Sequence, residues 1–116
     1  MKKNLILPAL LGISLTGAVL PGTAQATDLE RGKALVFDRD VGNCLACHAI
    51  DDGELPGNSG PPLIQMKLRF PDRAVLREQI HDARIRNPNT VMPPYGAHGI
   101  LSSEEMDLVV DYLLTL

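Results

Sequence analysis

Cys44-Leu45-Ala46-Cys47-His48 decides the reading of this chain. Two thiols with two residues between them, followed at once by an imidazole, form the arrangement that attaches haem covalently. Each thiol can add across one vinyl group of the porphyrin, and the histidine next in line then lies under the ring as the proximal iron ligand, His48. These are the only two cysteines of the 116 residues. A structural zinc site would need a second pair of ligands, and His81 and His98 lie too far apart in the chain to form one. A redox dithiol would want a strand before it and a βαβ pattern around it, which Gly42-Asn43 and the helical periodicities do not supply. The expected cofactor is therefore one haem c, bound through Cys44 and Cys47, with a dithiol or an incidental disulfide as the competing readings.

The beginning of the chain points to the compartment where such attachment occurs. Lys2 and Lys3, an apolar run from Leu5 to Leu20, and Ala24-Gln25-Ala26 make up the basic, hydrophobic and small-residue parts of a secretory signal. Residues 1–26 read as a cleaved signal peptide and 27–116 as the mature domain. The run is short for a membrane span and is interrupted by Gly12, Gly17 and Pro21, so the expectation is export to a periplasm with no membrane span after cleavage; retention as an anchor is the competing reading. Oxidising surroundings agree with thioether bonds to haem.

Ninety mature residues suffice for one domain and not for two. With no Trp, two Phe and two Tyr, the chain has little bulk to fill a core, and an enclosed porphyrin would supply it. The signal segment holds two of the 11 basic residues and none of the 14 acidic ones, so the mature part carries −5. Nucleic acid is not an expected partner for such a surface.

Three helices can be read from pattern. Asp28 is placed to cap a helix through Phe37, with Leu29, Gly32, Leu35 and Val36 on one side and Gly32 open to close approach by another helix. Pro71-Asp72 opens a second, with Leu76, Ile80 and Ala83 in register and Asn87-Pro88 as its stop. Ser102 and Glu105 form a capping box for the third, whose Met106, Val109, Val110 and Leu113 share a face. No segment alternates as a strand does. The expected fold class is all-α, with the first and last helices crossing.

The sixth iron ligand has five candidates: Met66, His81, Met92, His98 and Met106. Met106 falls on a regular apolar face, where methionine is ordinarily core. Met66 follows Pro61-Pro62 closely, on the proximal side, and His81 lies beside rather than on the apolar stripe of its helix. Met92 sits in Asn87-Pro88-Asn89-Thr90-Val91-Met92-Pro93-Pro94, a proline-stiffened loop suited to hold a distal ligand. His98, in the next loop, is its chief rival. Ligation by His48 and Met92 fills both axial positions, which suits electron transfer rather than binding of oxygen or substrate. The carbonyl of Pro61, in Gly60-Pro61-Pro62-Leu63, can accept the other N–H of His48; the alternative is an ordinary turn.

In this order, Cys44-Leu45-Ala46-Cys47-His48, Gly60-Pro61-Pro62-Leu63 and Met92-Pro93-Pro94 resemble the class I cytochromes c across the mature chain. With Arg69-Phe70-Pro71-Asp72, Leu76-Arg77-Glu78-Gln79-Ile80, Asn87 to Gly96 and His98-Gly99-Ile100-Leu101, the chain also looks like the SoxX subunits of SoxAX cytochromes. That resemblance implies a class I cytochrome c fold and a heterodimer with a SoxA-type cytochrome subunit. The complex is an L-cysteine S-thiosulfotransferase that couples thiosulfate oxidatively to the SoxYZ carrier. SoxX-type subunits relay electrons to a soluble cytochrome c acceptor, so no catalytic residue is expected in this chain. The competing reading is an autonomous soluble cytochrome c serving another respiratory chain. Six basic residues between Lys67 and Arg86, against Asp72, Glu78 and Asp82, offer a candidate docking surface, or simply a solvated helix. Residues 50–59, with Asp51, Asp52 and Glu54, read as an acidic loop.

Overall fold

The computed structural model describes residues 26–116; apart from Ala26, the predicted signal segment lies outside the described residues. Helix α1 spans Asp28–Phe37, α2 Met66–Arg69, α3 Arg73–His81 and α4 Ser103–Leu113, with 3-10 turns at Cys44–Ala46 and Ala83–Ile85. Among the described residues there is no regular strand, only a parallel bridge between Ile50 and Leu63.

Thr27, not Asp28, caps α1. Its hydroxyl accepts the Glu30 N–H at 3.3 Å while the Glu30 carboxylate accepts the Thr27 N–H at 2.7 Å. This reciprocal pair satisfies two donors of the first turn, so the start moves one residue back from the one expected. Gly32 and Val36 are the buried residues of α1. A Cβ at Gly32 would fall on the Leu108 carbonyl, so it is the missing side chain that lets α1 lie directly against α4. Helix α4 carries the Ser102–Glu105 capping box and buries Met106, Val109, Val110 and Leu113, as its periodicity predicts, together with Leu108 and Tyr112.

Helix α3 starts where predicted, the Asp72 carboxylate accepting the Ala74 N–H at 2.8 Å. It stops at His81, six residues before the Asn87-Pro88 pair read as its end. Asp82 is extended, at φ −157° and ψ 94°, and its side chain accepts the Arg84 N–H, starting the turn Ala83–Ile85. An Asp side chain that bonds the backbone two residues on competes with continuation of a helix. Ala83 is still wholly buried, although it no longer belongs to α3.

Four of the six cations of the basic stretch are paired with carboxylates, and only Lys67 and Arg69 have no such partner among the described residues. Arg73 bonds Asp111 at 2.8 Å and Asp107 at 3.0 Å, and Arg77 bonds Asp107 at 2.9 Å, locking α3 onto α4. Arg84 pairs with Asp82 and Arg86 with Glu78. The sequence count missed this because two of the neutralising acids lie on α4. The acidic loop is likewise tied inward, Asp51 and Asp52 meeting Lys33 of α1 at 3.4 and 3.0 Å.

Candidate haem-binding site

A cavity of about 640 Å³ opens between the turn at 41–48, the loop at 59–63, α3 and the loop at 87–95, with Val109 and Leu113 of α4 among its walls. That volume lies within the roughly 300–1,000 Å³ of small-molecule and cofactor pockets. Cys44, Cys47, His48, Pro61 and Met92 all border it. The remaining ligand candidates divide. Met66 borders the cavity too, fully buried, whereas His81, His98 and Met106 lie outside its lining. His98 is exposed, and Met106 packs in the core.

Asn43 enters the cysteine turn in the left-handed region at φ 48°, and the His48 N–H closes it by bonding the Cys44 carbonyl at 2.9 Å. Asn tolerates that conformation better than most non-glycine residues. The following loop is stitched back onto the turn, Gly57 N–H to Leu45 O and Gly60 N–H to Cys47 O, both at 2.9 Å. His48 Nδ1 lies 2.6 Å from the Pro61 carbonyl oxygen. A carbonyl only accepts, so Nδ1 carries the proton and Nε2 keeps its lone pair for a metal. A Cβ at Gly60 would collide with the imidazole ring, so glycine there gives the ring its place.

Across the cavity, the Met92 N–H bonds Thr90 Oγ1 at 3.1 Å, and the Gln79 side-chain amide of α3 approaches Met92 Sδ at 3.9 Å. Three residues on, buried Tyr95 donates its hydroxyl to the Gly42 carbonyl at 2.6 Å. Burial, followed by the neighbouring Cys44, pushes the Tyr95 phenol up to about 12. Arg69 holds the proline loop from the outside, Nη1 donating to Pro62 O at 2.7 Å. Pattern alone assigns Gln79, Thr90 and Tyr95 no role at this site, and it places Arg69 only in the basic stretch. Tyr95 was the most legible of them, a rare aromatic directly after Pro93-Pro94.

Burial pushes the Cys44 thiol up to about 11. Reactive dithiols have lowered thiol values, so this environment is the reverse of a thiol-disulfide oxidoreductase site. Cys44 and Cys47 are not joined to each other. Among the described residues no cluster of three or more His, Cys, Asp or Glu is placed to hold a metal ion unaided. The donor set instead fits a metal brought in by a porphyrin: two thiols for attachment, one oriented imidazole, and a thioether within an apolar cavity.

Residues 27–113 match the family described as cytochrome C oxidase, cbb3-type, subunit III. The chain belongs to this family of c-type cytochrome domains. Covalently bound haem c is the cofactor such membership implies. The cytochrome also superposes on a chain of the crystal structure of SoxXA from P. pantotrophus, with a TM-score of 0.66 and 30% identity, over 74% of this chain and 79% of that one. It is thus a SoxX-like cytochrome with the expected all-α, class I cytochrome c fold. An uncharacterized lipoprotein of Aquifex aeolicus (strain VF5) is 36% identical to the cytochrome over 73 residues, 62% of this chain. The match spans about a third of that lipoprotein, 35% of its length.

Proposed function

We propose that this cytochrome is the periplasmic electron-relay subunit of a SoxAX-type complex, paired with a SoxA-type subunit and passing electrons to a soluble cytochrome c acceptor. In that reading residues 1–26 are the export signal and 27–116 the working domain. Cys44 and Cys47 anchor the porphyrin, and His48 and Met92 ligate its iron. When bound, the haem accepts and releases one electron at a time. The chain's own part is to hold a coordination sphere that changes little between the two states. His48 is oriented by the Pro61 carbonyl, and that hydrogen bond also strengthens the imidazole as a donor. Met92 is carried by a loop fixed through Thr90 and Tyr95. With His48 and Met92 both holding the iron, no open position would remain on it for thiosulfate. Oxidative coupling of thiosulfate to SoxYZ then belongs to the partner subunit.

The observation that carries this reading is the meeting of Cys44, Cys47, His48 and Met92 at one cavity in a chain that superposes on SoxXA. Co-expression with a SoxA-type cytochrome tests it. A stable heterodimer on gel filtration, coupling thiosulfate to SoxYZ only when both subunits are present, is the expected result. The family description names an oxidase subunit, which favours the second reading of an electron carrier for a respiratory chain. A haem-loaded chain that elutes alone and still delivers electrons to an oxidase would decide for that second reading.

A further inference from the structure

Gln79 occupies an unusual place for an amide. It is half-buried on α3, between buried Leu76 and Ile80, and borders the cavity. The one side-chain hydrogen bond it makes among the described residues is from Nε2 to Met92 Sδ, at 3.9 Å. A half-buried amide without a partner is unfavourable, so this contact is the one that accounts for a polar group on the inward side of the helix. Helix α3 is in turn braced by the bonds of Arg73 and Arg77 to Asp107 and Asp111. The donor therefore rides on a fixed element while its acceptor rides on a loop.

We infer that Gln79 is the positioning residue for Met92, donating to one lone pair of the thioether and thereby fixing which lone pair is left for the iron. A thioether sulfur has two lone pairs. Bound to a metal through one of them it becomes a stereocentre, and the two choices place its methyl group differently. A single donor on a rigid helix selects between them and resists the loop motion by which the sulfur would leave the metal. This inference rests on the proposed ligation by Met92 and adds to it the device that sets the ligand's configuration.

Nuclear magnetic resonance of the haem-loaded protein tests it. The wild type is expected to show one ligated methionine methyl and one pattern of haem-methyl shifts when oxidised. Gln79→Leu keeps the side chain's bulk and removes the donor. It is expected to show two exchanging configurations and, through loss of one weak hydrogen bond, about threefold tighter binding of azide to the ferric protein. A purely structural role for Gln79 would lower the melting temperature without producing a second configuration. A single configuration and unchanged azide affinity in Gln79→Leu overturn the inference and leave the Met92 reading standing. Should that variant not fold, the wild type decides: slowly exchanging Gln79 amide protons with a cross-peak to the Met92 methyl are expected, and their absence overturns the inference. No ligated methionine methyl in the wild type overturns the Met92 reading and this inference with it.

Discussion

The Tyr95 hydroxyl donates to the Gly42 carbonyl at 2.6 Å, joining two residues 53 positions apart in the chain. Gly42 leads into the cysteine turn, and Tyr95 closes the Met92 loop. The backbone strengthens the junction, the Ile100 and Leu101 N–H groups both bonding the Tyr95 carbonyl, at 2.8 and 3.0 Å. One hydrogen bond thus fixes the spacing between the segment that carries the thiols and the one that carries Met92.

Tyr95→Phe should lower stability by about 1–3 kcal/mol, because it leaves the Gly42 carbonyl buried without its partner. Urea denaturation of the haem-loaded protein measures this. The phenol also predicts a pH response. Burial, the largest cause, raises its folded value above the unfolded value of about 10 and persists when both thiols are joined to haem, so its contribution is complete below pH 10 and is lost as pH climbs through the folded value. Tyr95→Phe should therefore flatten the alkaline limb of the stability curve.

Met92→His should abolish the sulfur-to-iron charge-transfer band of the oxidised protein and lower its reduction potential, since imidazole favours the ferric state more than a thioether does. His98→Ala should leave both unchanged, because His98 is exposed and outside the cavity lining. Visible spectra and a redox titration of the two variants check this. A wild type that lacks the band, and whose sixth ligand is lost in His98→Ala, would transfer the ligand role to that residue.

Much of this molecule was legible because its strongest signals are local. The cysteine turn, the Ser102–Glu105 box and the start of α3 each depend on residues within a few positions of one another. Helix packing at Gly32 was legible too, since an absent side chain on an apolar face invites close approach. What pattern could not give was pairing across elements. The arginines of α3 read as a basic face because their partners, Asp107 and Asp111, lie 30 or more positions on in the chain. The approach of Gln79 to Met92 has no local signature either, because the sulfur acceptor is on another segment. Helix α2 is a single turn, and its first N–H is taken by the Leu116 carbonyl at the chain end, a contact with no sequence signature.

Gly32→Ala should cost about 1–3 kcal/mol, since the added Cβ falls on the Leu108 backbone and neither helix can yield locally. Thermal melts followed by circular dichroism give the size of the loss. The haem spectrum should stay as in the wild type, because Gly32 does not border the cavity.

Asp107 is held below its ordinary value chiefly by the Arg77 guanidinium, with Arg73 adding to it. A carboxylate depressed on folding contributes stability that is present above its unfolded value of 3.8 and is lost as pH falls through the folded one. Asp107→Asn should remove part of that acid-side slope while leaving the visible spectrum intact. An unchanged acid titration of stability would show that the α3–α4 ion pairs are not formed in solution.

The same ion pairs bear on the partner. A complex steered by exposed opposite charges weakens as salt screens them, within a Debye length of about 10 Å at 0.1 M. Arg73, Arg77, Arg84 and Arg86 already meet carboxylates of their own chain, so of the six cations in that stretch only Lys67 and Arg69 have no carboxylate partner among the described residues. A heterodimer with a SoxA-type subunit should therefore rest on shape and apolar contact, and its dissociation constant should change less than about threefold between roughly 0.05 and 0.5 M salt. Titration calorimetry at a series of salt concentrations reads this directly. A loss of affinity of a hundredfold over that range would mean that the arginines exchange their internal carboxylates for those of the partner, restoring the basic docking face that the sequence suggested.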